Sequence, residues 1–290
     1  MKKIFSILAI ACVAMLFSAC QKEGVYNPSK KISKIYFTDA NGNKALSQVW
    51  SWNKNKTLEK IDNYSSNGSL SGTLNFTYEK KRLTRMNNYT ANAYIEYKYD
   101  GKLLKEANLY SSGTLFDTYS FTYENGKITK ITDTYVHSKA AGNDVEMSPL
   151  QFILPEEIYN VTAEARKQFK PDDSKATTVF TYELTWDGNN ISKLVRTVSG
   201  SSANLTLEVQ YDKYNNPFKG AFLNFFFEDN VTDGNFCKNN ATRLETKSIT
   251  DGGNVTTNVY TYEYSYDGKW PVSRRFMGEN STLTEFEYTK

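Results

Sequence analysis

Tyr260-Thr261-Tyr262-Glu263-Tyr264-Ser265-Tyr266-Asp267-Gly268 puts four tyrosines on one face of an extended chain and polar residues on the other, then stops at an Asp-Gly pair. Period two with aromatic residues is strand chemistry, and Asp-Gly is a tight-hairpin signal. The same alternation returns in Leu74/Phe76/Tyr78, Ile95/Tyr97/Tyr99, Phe121/Tyr123, Phe180/Tyr182/Leu184/Trp186, Leu205/Leu207/Val209/Tyr211 and Phe286/Tyr288. Turn signals follow at Asp100-Gly101, Asn125-Gly126 and Asp187-Gly188. This pattern decides the fold class: the chain is all-β.

Between these strands a second, shorter pattern recurs. An apolar residue, then Ser, Thr or another residue, then Lys or Arg, then an apolar residue reads as Ile32-Ser33-Lys34-Ile35, Leu58-Glu59-Lys60-Ile61 and Leu83-Thr84-Arg85-Met86. It returns as Ile128-Thr129-Lys130-Ile131 and Ile191-Ser192-Lys193-Leu194. Degenerate copies read Leu103-Leu104-Lys105-Glu106, Ala241-Thr242-Arg243-Leu244 and Val272-Ser273-Arg274-Arg275. Starts at 32, 58, 83, 103 and 128 are 26, 25, 20 and 25 residues apart, which is two strands and two turns. The apolar anchors sit three residues apart, so a bulge is needed to keep both on one sheet face. The expected architecture is an up-and-down antiparallel sheet of about sixteen strands, curled into a half-barrel or barrel to cover its aromatic face.

Two stretches interrupt the period. One spans about 136–178. Within it Pro155-Glu156-Glu157 opens a helix that carries Ile158, Val161, Ala165 and Phe169 on one face, and Pro171-Asp172-Asp173 closes it. The other spans 213–240 and contains Phe222, Leu223, Phe225, Phe226 and Phe227, too apolar for a loop in water. Core packing accounts for that run; a ligand or partner surface is the sharper alternative.

The N-terminus is of a different kind. Lys2-Lys3 precedes an apolar run over residues 4–17, and Leu16-Phe17-Ser18-Ala19 leads directly into Cys20. This is a secretory signal over residues 1–19. Its 14-residue core is short of the ~20 needed to span hydrocarbon. Cys20 is the expected lipid-attachment residue, carrying palmitate-type acyl chains, and residues 20–30 read as a polar tether ahead of a β domain over 31–290. Cys12 leaves with the signal, so Cys237 alone remains in the body, where it reads as a buried hydrophobe.

The chain has 35 Lys and Arg against 32 Asp and Glu, a net charge of +3. Losing Lys2 and Lys3 leaves 33 against 32, or +1. The basic residues are scattered among acids, so nucleic-acid binding is not expected. Asp39-Ala40-Asn41-Gly42-Asn43 starts like a calcium loop but has its glycine two places early and Trp50 where Glu is required, so it reads as a hairpin turn. Glu156-Glu157 and Asp172-Asp173 read as helix-end charges rather than a hydrolase's carboxylate pair. His137 has no spaced ligand partners, and no nucleophile elbow, phosphate loop or dinucleotide fingerprint occurs. No catalytic residue, metal or cofactor is expected. Trp50, Trp52, Trp186 and Trp270 suit sugar stacking or the core equally well.

Tandem apolar-Ser/Thr-Lys-apolar units followed by Tyr-x-Tyr-x-x-Asp-Gly resemble Bacteroidota lipoproteins carrying a domain of unknown function described as porin-like, and more distantly YD-repeat shells. The stretch from Tyr211-Asp212 to Asn216-Pro217-Phe218 also resembles a feature of that family. The resemblance covers about 31–290 and implies a fold without assigning a reaction. Cys20-Gln21-Lys22-Glu23 is similar to the tag that sends such lipoproteins to the cell surface, with Gly24 where a second acid usually stands. The expectation is therefore an outer-membrane lipoprotein, lipid-anchored and on the cell surface rather than the periplasmic face. Its first expected role is binding a glycan or an apolar small ligand without enzymatic activity. The alternative is a structural or assembly partner of an envelope complex; an integral β-barrel or a hydrolase is ranked below both.

Overall fold

The computed structural model describes residues 23–88, 92–136, 177–222, 236–278 and 281–289. Sixteen antiparallel strands follow one another up and down: β1 Ile32–Thr38, β2 Lys44–Trp52, β3 Leu58–Tyr64, β4 Leu70–Glu79, β5 Arg82–Asn88, β6 Ala93–Asp100, β7 Leu103–Ser111 and β8 Thr114–Glu124. They continue as β9 Lys127–Val136, β10 Thr177–Asp187, β11 Asn190–Val198, β12 Asn204–Tyr211, β13 Ala241–Ile249, β14 Val255–Asp267, β15 Trp270–Phe276 and β16 Leu283–Tyr288. β16 pairs with β1, with Ile32 opposite Tyr288 and Phe37 opposite Thr284, so the sheet closes into a barrel with no edge. The curled sheet of about sixteen strands is thus a complete barrel. The helix expected over 155–169 lies outside the described residues.

The bulge inferred from the motif is present and recurs around the barrel. Tyr78 pairs with Leu83 but Thr77 with Arg85, leaving Thr84 over. Thr129, Ser192, Glu59 and Thr242 are left over in the same way. At the closure Ser33 is the extra residue. Two of the degenerate copies are shifted by one place from the sequence reading. Tyr99 pairs with Leu104 and Tyr266 with Pro271, so the units begin at Leu104 and Pro271 rather than at 103 and 272. Pairing to the preceding tyrosine sets this register, and a tetrapeptide pattern does not contain it.

Each position of the motif now has a physical reason. The bulge residue's hydroxyl donates back to a carbonyl of the preceding strand: Thr84 to Thr77, Ser192 to Thr185 and Thr242 to Gln210, at 3.2–3.3 Å. The carbonyl of the first apolar residue accepts from an aromatic donor of the following strand. Trp52 Nε1 reaches Ile32, Tyr99 Oη Leu83, Tyr123 Oη Leu104 and Trp186 Nε1 Ile128. Tyr211 reaches Ile191, Tyr264 Ala241 and Tyr288 Pro271, all of these between 2.6 and 2.9 Å. Tyr78 is hydrogen-bonded to the Leu58 backbone. A ring of aromatic side chains thereby satisfies the backbone that the bulges disturb, which explains why tyrosine outnumbers other aromatics.

The apolar face points inward. Ile32, Leu58, Leu104 and Ile191 form one buried tier, and Ile61, Met86, Ala107, Ile131 and Leu194 a second. The third tier on the same strands turns polar, with Asn63, Asn88, Asp133 and Arg196. A sixteen-stranded barrel is wide enough to leave an aqueous channel when wall side chains alone line it. Here other segments enter it.

Candidate functional site

Residues 23–30 enter the barrel at the end where the turns are shortest. The Glu23 carboxylate accepts from Leu104 N at 2.5 Å and from Tyr123 Oη at 2.6 Å. Its backbone N–H donates to the Lys102 carbonyl, and its carbonyl accepts from Arg82 Nε. Burial raises the Glu23 pKa above 4.5 against these hydrogen bonds and the nearby Arg82 charge. Gly24 has a φ of +76°, and a Cβ placed there would lie 2.1 Å from Tyr99 Oη, so only glycine fits. Tyr26 is buried deeper, its ring 5.6 Å from Trp52 and 6.4 Å from Trp50 and its hydroxyl on the Pro217 carbonyl at 2.6 Å. Of the segment read as a polar tether, Glu23 to Tyr26 are therefore packed into the barrel, while Asn27 and Ser29 are exposed.

The connection between β12 and β13 enters from the same end. Its described parts, residues 213–222 and 236–240, bring Phe218, Phe222, Phe236 and Cys237 into the core. Phe218 lies 6.1 Å from Trp50 and 5.9 Å from Phe286, and Phe236 6.3 Å from Phe121. Tyr97 donates to the Phe222 carbonyl at 2.7 Å. The Cys237 thiol lies 3.2 Å from Tyr211 Oη and accepts from Ile191 N, so it is the buried hydrophobe that composition suggested. The apolar run at 221–227 thus starts as core packing at Ala221 and Phe222; the remainder lies outside the described residues. Between this plug and the wall, Asn216, Phe218, Tyr264, Arg274 and Phe286 leave a crevice with room for one water at most.

Toward the other end the interior holds ionisable side chains. Asp117 and Asp133 sit on β8 and β9, fully buried and diagonal across the ladder. Tyr119 Oη donates to Asp117 at 3.1 Å and Tyr182 Oη to Asp133 at 3.3 Å, with Arg196 opposite Tyr182 on β11. Among the described residues no group of three or more His, Cys, Asp or Glu could hold a metal ion. Sequence reasoning missed this tier, because single Asp residues in strands carry no spacing signal.

Asp39 accepts from Asn41 N and Asn43 N at 2.9 and 2.8 Å, the hairpin turn expected in place of a calcium loop. Trp50 is buried, while Trp52 and Trp186 are half-buried and donate their indole N–H to the Ile32 and Ile128 carbonyls in the aromatic ring. Trp270 packs 6.3 Å from Tyr288. Cys20, His137, Glu156, Glu157, Asp172 and Asp173 lie outside the described residues.

The outer wall is ionic. Cross-strand pairs join Lys98 to Glu106 at 2.7 Å, Arg85 to Glu96 at 3.4 Å and Lys193 to Glu208 at 3.4 Å. Lys44 to Glu285 at 2.7 Å and Lys34 to Glu287 at 3.7 Å continue the belt past the closure. Such exposed pairs contribute little to stability. Aromatic groups interrupt the belt: Tyr94 and Tyr110 stack at 4.6 Å beneath the Arg85 guanidinium, and the Lys44 ammonium lies 4.7 Å over the Tyr36 ring.

No family model and no curated protein matches the chain. Among solved structures it is similar to a porin-like protein from Bacteroides vulgatus ATCC 8482. The TM-score is 0.55 at 8% identity, covering 90% of this chain and 99% of that one. A porin-like protein from Bacteroides uniformis ATCC 8492 aligns with a TM-score of 0.50 at 12% identity, covering 92% and 100%. At these identities the likeness shows a shared barrel fold.

Proposed function

We propose that the protein is a non-enzymatic envelope lipoprotein, held at the outer membrane by acyl chains on Cys20, whose barrel stands in water and acts through its outer wall. The observation that carries this reading is the direction of the two sheet faces. In a membrane-spanning barrel the apolar face meets lipid and the polar face lines the lumen. Here the apolar face is inside against Tyr26, Phe218, Phe222 and Phe236, and Lys–Glu pairs cover the outside. A lysine or arginine turned to lipid costs about 2–4 kcal/mol at mid-membrane, a cost this wall would incur repeatedly. The porin-like neighbours support an envelope setting, and the plug argues against a conducting lumen.

Occupied interior space also weighs between the two binding roles. An internal glycan or apolar ligand needs a cavity, and the crevice beside the described part of the plug is too small for either. A structural or assembly role is therefore the better supported. The test uses the full chain expressed in a bacterial envelope. Radiolabelled palmitate is expected on the wild type and absent from Cys20→Ala, and the purified protein is expected to pass no current in planar bilayers. A labelled Cys20→Ala protein would overturn the anchor, and steady single-channel conductance would overturn the filled, water-standing barrel.

A further inference from the structure

The up-and-down topology sorts the turns into two sets, and their charges differ. The end entered by Glu23 carries exposed Lys54, Lys56, Lys80, Lys81, Lys102 and Lys269 on four turns. Lys213, Lys219 and Lys238 join them on the β12–β13 connection. Among the described residues the exposed acids there are Glu79, Asp100, Glu124, Asp187 and Asp267, the last paired with Lys30 at 2.5 Å, so nine exposed lysines face five exposed acids; Glu228, Asp229 and Asp233 of the same connection lie outside the described residues. At the opposite end the described residues of the turns within 39–43, 65–69, 112–113, 199–203, 250–254 and 277–282 carry Asp39 and Asp251 and no Lys or Arg; Glu279 and the 137–176 insertion lie outside the described residues. Lys44, the first residue of β2, is paired with Glu285. The described part of the barrel is therefore electrically polarised along its axis.

A second observation concerns the backbone. Lys80 and Lys81 form a two-residue hairpin with φ of +49° and +67°, and Lys56 has +72°. Such turns favour Asn-Gly, and equivalent turns of this barrel use Asn125-Gly126 at +53° and +75°. A side chain in the left-handed region costs energy that glycine does not. Lysine holds these places although better turn residues exist.

A third concerns position. Glu23 is fixed at this rim by Lys102 and Leu104, and Cys20 lies three residues before it. Three extended residues reach at most about 11 Å, close to one Debye length. Resting on the proposed acylation of Cys20, we propose that the lysine-bearing rim docks on anionic lipid headgroups, so that the barrel stands upright on the membrane with its opposite end outward. One acyl anchor with a polybasic surface gives a firmer and better-oriented attachment than either alone.

The test uses the full chain purified from the bacterial envelope, with intact mass reporting acylation. Single fluorophores on Asn189→Cys at the basic rim and Ser66→Cys at the other end are compared on vesicles carrying a headgroup quencher. The vesicles are phosphatidylcholine alone or with phosphatidylglycerol. The expected result is quenching of the Asn189→Cys label alone, on anionic vesicles, relieved by high salt. The double variant Lys80→Asn/Lys81→Gly removes two charges while relaxing the turn. Its unfolding midpoint should hold or rise, while anionic-vesicle affinity at low salt falls roughly 25-fold, about fivefold per lysine. Equal quenching at both ends, or attachment indifferent to anionic lipid and salt, would overturn the proposal. An unmodified mass would overturn the anchor alone. Salt-sensitive flotation of that unacylated protein with anionic vesicles would still uphold the rim, and its absence would overturn it.

Discussion

At the scale of single residues, Glu23 shows how a sequence feature changes meaning in the fold. As part of Cys20-Gln21-Lys22-Glu23 it resembles an exposed export tag, yet its carboxylate is inside the hydrogen-bond network of Leu104 and Tyr123. Because burial raises its pKa, the folded protein binds the proton more tightly than the unfolded chain. Stability should therefore fall as pH rises from 4.5 through the raised value, and acidification should tighten the docked segment. Glu23→Gln keeps an acceptor and removes the charge. It is expected to abolish this pH dependence in urea titrations, with stability at neutral pH unchanged or higher. Tyr288 gives a simpler case. Burial pushes its phenol up, keeping it a donor to the Pro271 carbonyl, and Tyr288→Phe should cost about 1 kcal/mol by the same titration.

At the scale of elements, the bulged hairpin is the working unit. Thr84 fills no space in the core; it lets Leu83 and Met86 both face inward, three residues apart. Deleting Thr84 shifts β5 by one residue and turns either Leu83 or the Met86–Asn88 side outward. Loss of the near-ultraviolet tyrosine signal is the expected outcome. The Lys80-Lys81 turn next to it can be relaxed instead: Lys80→Asn/Lys81→Gly should raise stability by about 1–2 kcal/mol, measured as a higher urea midpoint. Much of this unit was legible in the sequence. Alternation gave strand identity, and anchors three apart gave the bulge. What the tetrapeptides could not contain was the partner of each exposed carbonyl, because Tyr99 to Leu83 or Trp186 to Ile128 is a contact between neighbouring units. Leu104 and Pro271 were misplaced by one residue for the same reason.

At the scale of the whole molecule, closure decides what the parts can do. The sequence suggested a curled sheet of about sixteen strands without settling whether it closed; that depends on β1 meeting β16, a pairing between residues some 250 apart. Charge was misleading in one dimension. Lysines scattered through the chain at every second turn converge on one rim once the strands run up and down, a separation that net charge conceals. The interior plug was half legible, since a run as apolar as 221–227 had to be covered, but which end it entered was set by topology. The central claim is that this barrel turns its polar wall to water. Spin labels on Thr77→Cys, Thr122→Cys and Thr185→Cys, all exposed on the outer face, test it most directly in the full chain on envelope membranes. The account predicts relaxation by a water-soluble nickel chelate at all three and little by membrane-dissolved oxygen. A band of oxygen-dominated relaxation around the wall would contradict it and make the barrel an integral one.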